Sequence, residues 1–332
     1  MSTDDVPVID ISPFLSGESE DKKRVAAEVG HACETTGFVN IQGHGVPEQL
    51  IDRVRDVAYE FFALALEEKL KIGRPAPEIT RGYDTLANQS LSASLGNPSP
   101  PDLHETFGMG PVDVADDPYH TEGMARVYFA PNLWPARPAA MRTAFEDYYR
   151  RLRALGAEIM GIFALALDLR EDFFDDKIAD TISHIRFNKY PAQLEPPLPG
   201  QLRAGAHTDY GTLTILYGED TPGGLQVVNR HGHWVDVHPA PGSFVINLGD
   251  LMARWTNDRW VSTLHRVVNP PRQFAERERL SIAFFHAPNY DAEIKCVDTC
   301  QGPGNPPKYE PLTYGEYRLE KTLKTRLPES AE

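Results

Sequence analysis

The chain has 332 residues, with 33 Lys+Arg against 48 Asp+Glu, a formal charge of −15, 41% hydrophobic and 24% charged residues. This ordinary globular composition, with no Lys/Arg block, excludes a broad nucleic-acid or anionic-membrane footprint, because both need clustered cations to neutralise phosphates. No stretch approaches the ~18 apolar residues of a membrane span, and the start MSTDDVPVID has neither a basic nor an apolar leader region, so a cytoplasmic protein is expected.

Length over ~150 residues per domain suggests about two domains, although β-barrel enzymes run longer as one unit. Cys33, Cys296 and Cys300 are an odd number and lack partners at zinc spacing, so free reduced thiols are expected. Near the start, Val6 to Asp10 alternates like a short strand, and Asp21 to Thr36 is compatible with a helix that stops at Gly37. GFVNI follows as a second strand. From Pro47 the apolar positions Leu50, Val54, Val57, Phe61 and Leu64 step by four and three, which predicts an amphipathic helix whose stripe is core. GHGVP, Gly43 to Pro47, reads as a strand-to-helix turn with His44 structural.

Residues 73–138 hold PAP, NPSPP, DDP and APNLWP without a sustained period, and are expected to be one long, ordered loop packed through its aromatics. Met141, Phe145, Tyr148, Leu152, Leu155, Ile159 and Ile162 then mark the longest helix. After about residue 181, short β-rich runs separated by Gly, Pro and Asn turns predict an antiparallel sandwich or barrel. The organisation expected is 1–135, an N-terminal helical and strand region ending in the Pro-rich loop; 136–290, the long helix plus barrel core; and 291–332, a C-terminal extension. All three are expected to form one integrated domain.

The chemistry concentrates in the β-rich half. His207-Thr208-Asp209 leads into GTLTILY, and residues i and i+2 of an extended segment face the same side, so both side chains can enter the barrel. His265 in STLHRVV is the candidate third ligand. Two imidazoles and one carboxylate leave open positions, the arrangement that suits non-haem Fe(II) oxygen chemistry, whereas structural zinc closes its shell with four ligands. Arg279 and Ser281 share one face of RLSIAFF, a guanidinium beside a hydroxyl being a good carboxylate receptor. Asn188 and Tyr190 repeat the i, i+2 pattern in RFNKYP. His231-Gly232-His233 has turn composition and reads as a solvated hairpin tip, and no downstream Glu supports a cupin-type site. Asp250, Arg254 and Trp255 either support the metal site or pack the barrel.

The order RFNKYP, GAHTDYGTLTIL, GGLQV, HRVVNPP and RLSIAFFHAP, with VPVIDIS and GFVNIQGHGVP near the start, resembles the isopenicillin N synthase-like branch of the Fe(II)/2-oxoglutarate-dependent oxygenases. The likeness spans most of residues 6–290. It implies a mainly β fold with helices, a double-stranded β-helix (jelly-roll) core supported by N-terminal and central helices. It implies that His207, Asp209 and His265 hold Fe(II), that Arg279 and Ser281 bind the distal carboxylate of 2-oxoglutarate, and that Tyr190 and Asn188 lie near this cosubstrate. The expected reaction is hydroxylation or desaturation of a small organic molecule by O2, with release of succinate and CO2 and no separate acid or base. Arg81, Tyr83 and Phe107 in the Pro-rich loop and Phe285 at the barrel mouth are the expected substrate contacts. Specialised metabolism, antibiotic biosynthesis included, is the context by analogy. A 2-oxoglutarate-independent oxidase resembling isopenicillin N synthase itself and a non-catalytic metal-binding barrel stay open as alternatives. Oligomeric state is not legible.

Overall fold

Short strands cannot satisfy their backbone groups alone, and the β-rich runs of this chain find their partners in two sheets. The computed structural model describes residues 6–96 and 99–325, so the first five residues and the end of the C-terminal extension lie outside the described residues. In chain order it begins with β1 (Val8–Asp10), α1 (Ser12–Ser16), α2 (Ser19–Thr35), β2 (Phe38–Gln42), α3 (Glu48–Phe62) and α4 (Leu66–Leu70). There follow β3 (Gly82–Asp84), β4 (Glu105–Met109), α5 (Pro118–Thr121), α6 (Ala125–Tyr128), α7 (Met141–Ala166) and α8 (Asp175–Ile178). The barrel half has β5 (His184–Tyr190), β6 (Ala204–His207), β7 (Leu213–Gly218), β8 (Leu225–Val228), β9 (Trp234–Asp236) and β10 (Phe244–Leu248). The chain ends with α9 (Asp250–Trp255), β11 (His265–Val267), β12 (Arg279–His286), β13 (Glu293–Ile294), β14 (Leu312–Thr313) and α10 (Tyr314–Lys324).

One sheet runs β1-β2-β10-β7-β12-β5-β4-β3 and the second β6-β11-β8-β9, with β13 and β14 as a separate pair. Apart from the parallel β1–β2 pair, the pairings are antiparallel, and side chains from both main sheets line one cavity. This is the expected jelly-roll core with helical support. No helix among the described residues is long and apolar enough to cross a membrane.

Strand periodicity divides β5 and β12 cleanly. Ile185 and Phe187 of β5, and Leu280, Ile282 and Phe284 of β12, are buried on the helix side, where Phe187 stacks on Phe145 of α7 at 4.0 Å and Phe284 meets Tyr149 edge-on at 5.5 Å. The intervening residues face the cavity. All seven residues of the predicted α7 stripe are buried, and α7 also packs on α2 and α3. Gly37 ends α2 at φ +66, a left-handed conformation that glycine adopts without strain.

The expectation of one long loop over 73–138 needs correction. The segment supplies β3 and β4, which extend the main sheet beyond β5, and the short helices α5 and α6. A three-residue strand shows no period of its own, since its order comes from the neighbour it pairs with.

Candidate metal and cosubstrate site

Antiparallel pairing of β6 and β11 sets His265 directly opposite His207, and Asp209 lies two residues beyond the end of β6. Each of the three buried side chains offers a ligand atom, and these atoms lie within 4.8 Å of one another. Asp209 Oδ1 is 3.9 Å from His207 Nε2 and 3.8 Å from His265 Nε2. The other face of every ligand is occupied. His207 Nδ1 donates to the Gly205 carbonyl at 2.7 Å and His265 Nδ1 to the Thr263 carbonyl at 3.0 Å, which leaves both Nε2 lone pairs for a cation. Asp209 Oδ2 accepts from Asn247 Nδ2 at 2.7 Å and from Thr214 Oγ1, so Oδ1 is the oxygen that remains. Burial would raise the Asp209 carboxyl, but the two imidazoles and these two donors hold it below its ordinary range. Burial and the adjacent His265 lower the His207 imidazole.

The loop that carries Asp209 is clamped from below. The Asp250 amide donates to the Asp209 carbonyl at 2.8 Å, and Gly249 approaches Gly211 so closely that a Cβ there would meet the Gly211 oxygen at 2.2 Å. Asp250 in turn accepts from Ser262 at 2.8 Å and from Tyr317 of α10 at 2.7 Å. Asp250 therefore supports the loop that carries Asp209, whereas Trp255 packs in the core and Arg254 lies over Tyr309 and Tyr317.

On one side of the ligands lies a cavity of about 560 Å³. Register places Arg279 opposite Tyr190 and Ser281 opposite Asn188, and all four line it. Ser281 Oγ is 3.3 Å from Asn188 Nδ2 and 3.4 Å from Tyr190 Oη. Arg279 is 3% exposed, its Nε donates to the Glu219 carbonyl at 3.3 Å, and its Nη1 is buried without a hydrogen-bond partner among the described residues. No carboxylate forms an ion pair with Arg279 among the described residues, and the oxygens of the nearby Glu219 are taken by Tyr59 and by the Leu280 amide at 2.8 Å. Burial and the charge of Arg279 also pull Arg203 down to about 10. A buried cation without a counter-ion calls for an anionic ligand, and Leu216, Leu225, Val267 and Ala283 supply apolar walls around it.

A second cavity, of about 700 Å³, adjoins His207 and Asp209 and is lined by His184, Arg186, Tyr210, Phe285, Arg318 and Thr322 among others. Phe285 borders both cavities. Arg81, Tyr83 and Phe107 do not reach either, which corrects the expected substrate contacts. Arg81 is 1% exposed and spends its guanidinium on the carbonyls of Tyr128 and Ala130. Tyr83 donates to Glu105 at 2.6 Å, and Phe107 is enclosed by Phe61, Phe145, Phe187 and Trp134. Both belong to β3 and β4, which bury them in the core.

Sequence reasoning did not name Thr214, Asn247, His184, Arg186 or Arg318. His184 and Arg186 could have been found by extending the face of Asn188 and Tyr190 two and four residues upstream in HIRFNKY. His231 and His233 sit exposed at the β8–β9 turn, where Asn229 Oδ1 accepts both their amides. His44 accepts from the Val46 amide and packs on Phe244, a structural role.

Residues 6–137 match the sequence profile described as non-haem dioxygenase in morphine synthesis N-terminal, and residues 181–288 that of the 2OG-Fe(II) oxygenase superfamily. The chain is 39% identical over 312 residues to the 2-oxoglutarate-Fe(II) type oxidoreductase hxnY of Emericella nidulans, covering 92% of this chain and 86% of that protein. It is 35% identical over 332 residues to homoarginine-6-hydroxylase 2-ODD-233 of Oryza sativa subsp. japonica, covering 96% of each. A full-length Neurospora crassa protein, solved in complex with alpha-KG and thymine, is similar with a TM-score of 0.83 at 31% identity over 96% of both chains.

Proposed function

The chain belongs to the 2OG-Fe(II) oxygenase superfamily, and from that premise we propose which of its residues hold iron, cosubstrate and substrate. It is an Fe(II)- and 2-oxoglutarate-dependent dioxygenase that hydroxylates a small organic molecule. The relatives and the alpha-KG-bound structure favour this over a 2-oxoglutarate-independent oxidase. His207, Asp209 and His265 would hold the metal, because two imidazoles and one carboxylate with open positions form a donor set that suits Fe(II). Arg279 receives the distal carboxylate of 2-oxoglutarate, with Ser281 and Tyr190 beside it and Asn188 steadying Ser281. Fe(II) with O2, when bound, supplies the oxidation: 2-oxoglutarate becomes succinate and CO2 as the substrate C–H becomes C–OH.

The protein's own part is positioning and exclusion of water. Gly205 and Thr263 fix the imidazole tautomers, while Thr214 and Asn247 fix the carboxylate. The apolar walls keep water from the keto acid, and Phe285 borders both the cosubstrate and the substrate cavity. The observation that carries this reading is the coexistence in one barrel of the open three-ligand set and the buried Arg279 without a counter-ion. Homoarginine and thymine, the molecules named for two of the relatives, ask different things of a cavity: the first brings a guanidinium and the second a neutral ring. The substrate cavity has no carboxylate besides Asp209 among the described lining residues, so the homoarginine guanidinium would meet no acid there. A cytoplasmic role in specialised metabolism, with neither nucleic acid nor membrane as partner, completes the reading. The three buried, unpaired cysteines and the negative charge support it.

The test is turnover of 2-oxoglutarate to succinate by the purified protein under O2. Production that requires added Fe(II) and stops in His207→Ala is expected, and succinate formation undiminished in that variant would overturn the ligand assignment.

A further inference from the structure

The second cavity, whose lining includes Arg318 but not Arg279, carries a charge that no carboxylate among the described residues pairs with. Arg318 of α10 is 4% exposed. Its Nη1 donates to the Ile182 carbonyl at 3.0 Å, and its Nη2 reaches Thr80 Oγ1 at 3.3 Å and His184 Nδ1 at 3.2 Å. All three partners are neutral, and no carboxylate pairs with Arg318 among the described residues. Arg74, in the same wall, is different, since Asp84 meets it at 3.0 Å. Arg186 touches the Gln89 amide oxygen at 3.3 Å and lies over the Phe285 ring at 5.4 Å.

His184 adds a donor. Its Nδ1 accepts from Arg318, so the ring proton sits on Nε2. Burial, followed by the charges of Arg318, Arg186, Arg81 and Arg74, keeps this imidazole neutral, well below its usual range. The ring lies nearly parallel to Phe285, with centroids 4.8 Å apart and planes at 20°. The cavity lining thus combines these donors with the partly aromatic surfaces of Phe285, Tyr210, Tyr314 and Leu91. A buried guanidinium with neutral neighbours is best satisfied by a carboxylate, which accepts two hydrogen bonds in one plane. Arg318 and the His184 N–H, with Arg74 held by Asp84, Arg186 lying over Phe285 and no glycine-rich amide loop beside them, suit a monoanion better than a phosphate.

We infer that the substrate is a small ring-bearing carboxylate, its anionic group received by Arg318 and His184 and its ring lying along Phe285. This rests on the functional reading above, which assigns the opposite cavity to 2-oxoglutarate. It makes α10 a determinant of specificity.

The test is calorimetric titration of the anaerobic Fe(II)-loaded protein, saturated with 2-oxoglutarate so that the Arg279 end is filled. The probes are benzoate, pyridine-3-carboxylate and indole-3-carboxylate, each beside its carboxamide. At least one carboxylate is expected to bind tenfold or more tighter than its amide. Arg318→Gln should abolish that preference while leaving 2-oxoglutarate affinity unchanged. His184→Phe, which keeps a ring on Phe285 but removes the N–H, should weaken carboxylate binding several-fold. Should Arg318→Gln not fold, the wild-type comparison and His184→Phe still decide. Equal binding of acid and amide, no carboxylate binding, or a preference that survives in folded Arg318→Gln would overturn the inference. A wild type that takes no 2-oxoglutarate would instead overturn the functional reading beneath it.

Discussion

Asp209 shows how one residue is prepared by its neighbours. Asn247 and Thr214 satisfy Oδ2, so the carboxylate has one orientation in which Oδ1 faces both Nε2 atoms. Removing one such outer partner typically costs about 10–100-fold in metal affinity. Asn247→Ala is therefore expected to weaken Fe(II) binding by about that factor with the fold retained, which anaerobic metal titration checks; unchanged affinity would make Asn247 a bystander. At this scale the sequence was partly legible. His207 and Asp209, and Arg279 and Ser281, stand out as candidates because their residue types recur at i, i+2 spacing, and His265 joins them as a third possible ligand that the fold brings alongside. Thr214, Asn247 and Arg318 do not, because an ordinary Thr, Asn or Arg acquires its role only from register and from the docking of a distant helix.

Among elements, α7 and the two strands it covers set the geometry of the site. The helix comes so close to β12 that a Cβ on Gly156 would stand 2.5 Å from His286 Cδ2. Thr212 Oγ1 lies 2.6 Å from His286 Nδ1, and that contact limits how far the ring can yield. Gly156→Ala is expected to destabilise the protein by about 1–3 kcal/mol through overpacking, in spite of the better helix propensity of Ala. Denaturant midpoints check this, and a stabilised variant would show that the helix can shift freely. The helix was legible because its apolar period is sustained along most of its 26 residues. β3 and β4 were not, since a strand of three to five residues inside a Pro-rich stretch has no period to read. That same miss sent Tyr83 and Phe107 to a loop, when their strands bury them in the core.

At the scale of the whole molecule, strands from the first and second halves of the chain share one sheet, and α10 returns to the cavity wall through the Tyr317–Asp250 contact. Stability over pH reflects buried histidines. Burial and the nearby Arg153 lower His286 to about 3 from an ordinary 6.5. Between those values the unfolded chain binds a proton that the folded chain refuses. The contribution of His286 is thus complete above about pH 6.5 and is lost as pH falls, by up to about 1.4 kcal/mol per pH unit. His184 acts in the same direction. Asp102, raised to about 6 by burial, acts in the opposite one, since its folded form holds a proton that the unfolded chain gives up. The comparison of wild type with His286→Gln isolates the first effect: the slope of unfolding free energy between about pH 4.5 and 6.5 should be shallower in the variant, and identical slopes would contradict it.

The central claim is that one barrel holds Fe(II) at His207, Asp209 and His265 and 2-oxoglutarate at Arg279. Its most direct test is anaerobic titration of 2-oxoglutarate into the Fe(II)-loaded wild type and Arg279→Gln, followed by calorimetry and visible absorption. The account predicts saturable, stoichiometric binding with a visible band in the wild type. In Arg279→Gln the affinity should fall by about 1.5–3 kcal/mol, roughly ten- to a hundredfold, with iron still bound. Equal 2-oxoglutarate affinity in the two proteins, or iron binding with no 2-oxoglutarate binding in the wild type, would contradict it.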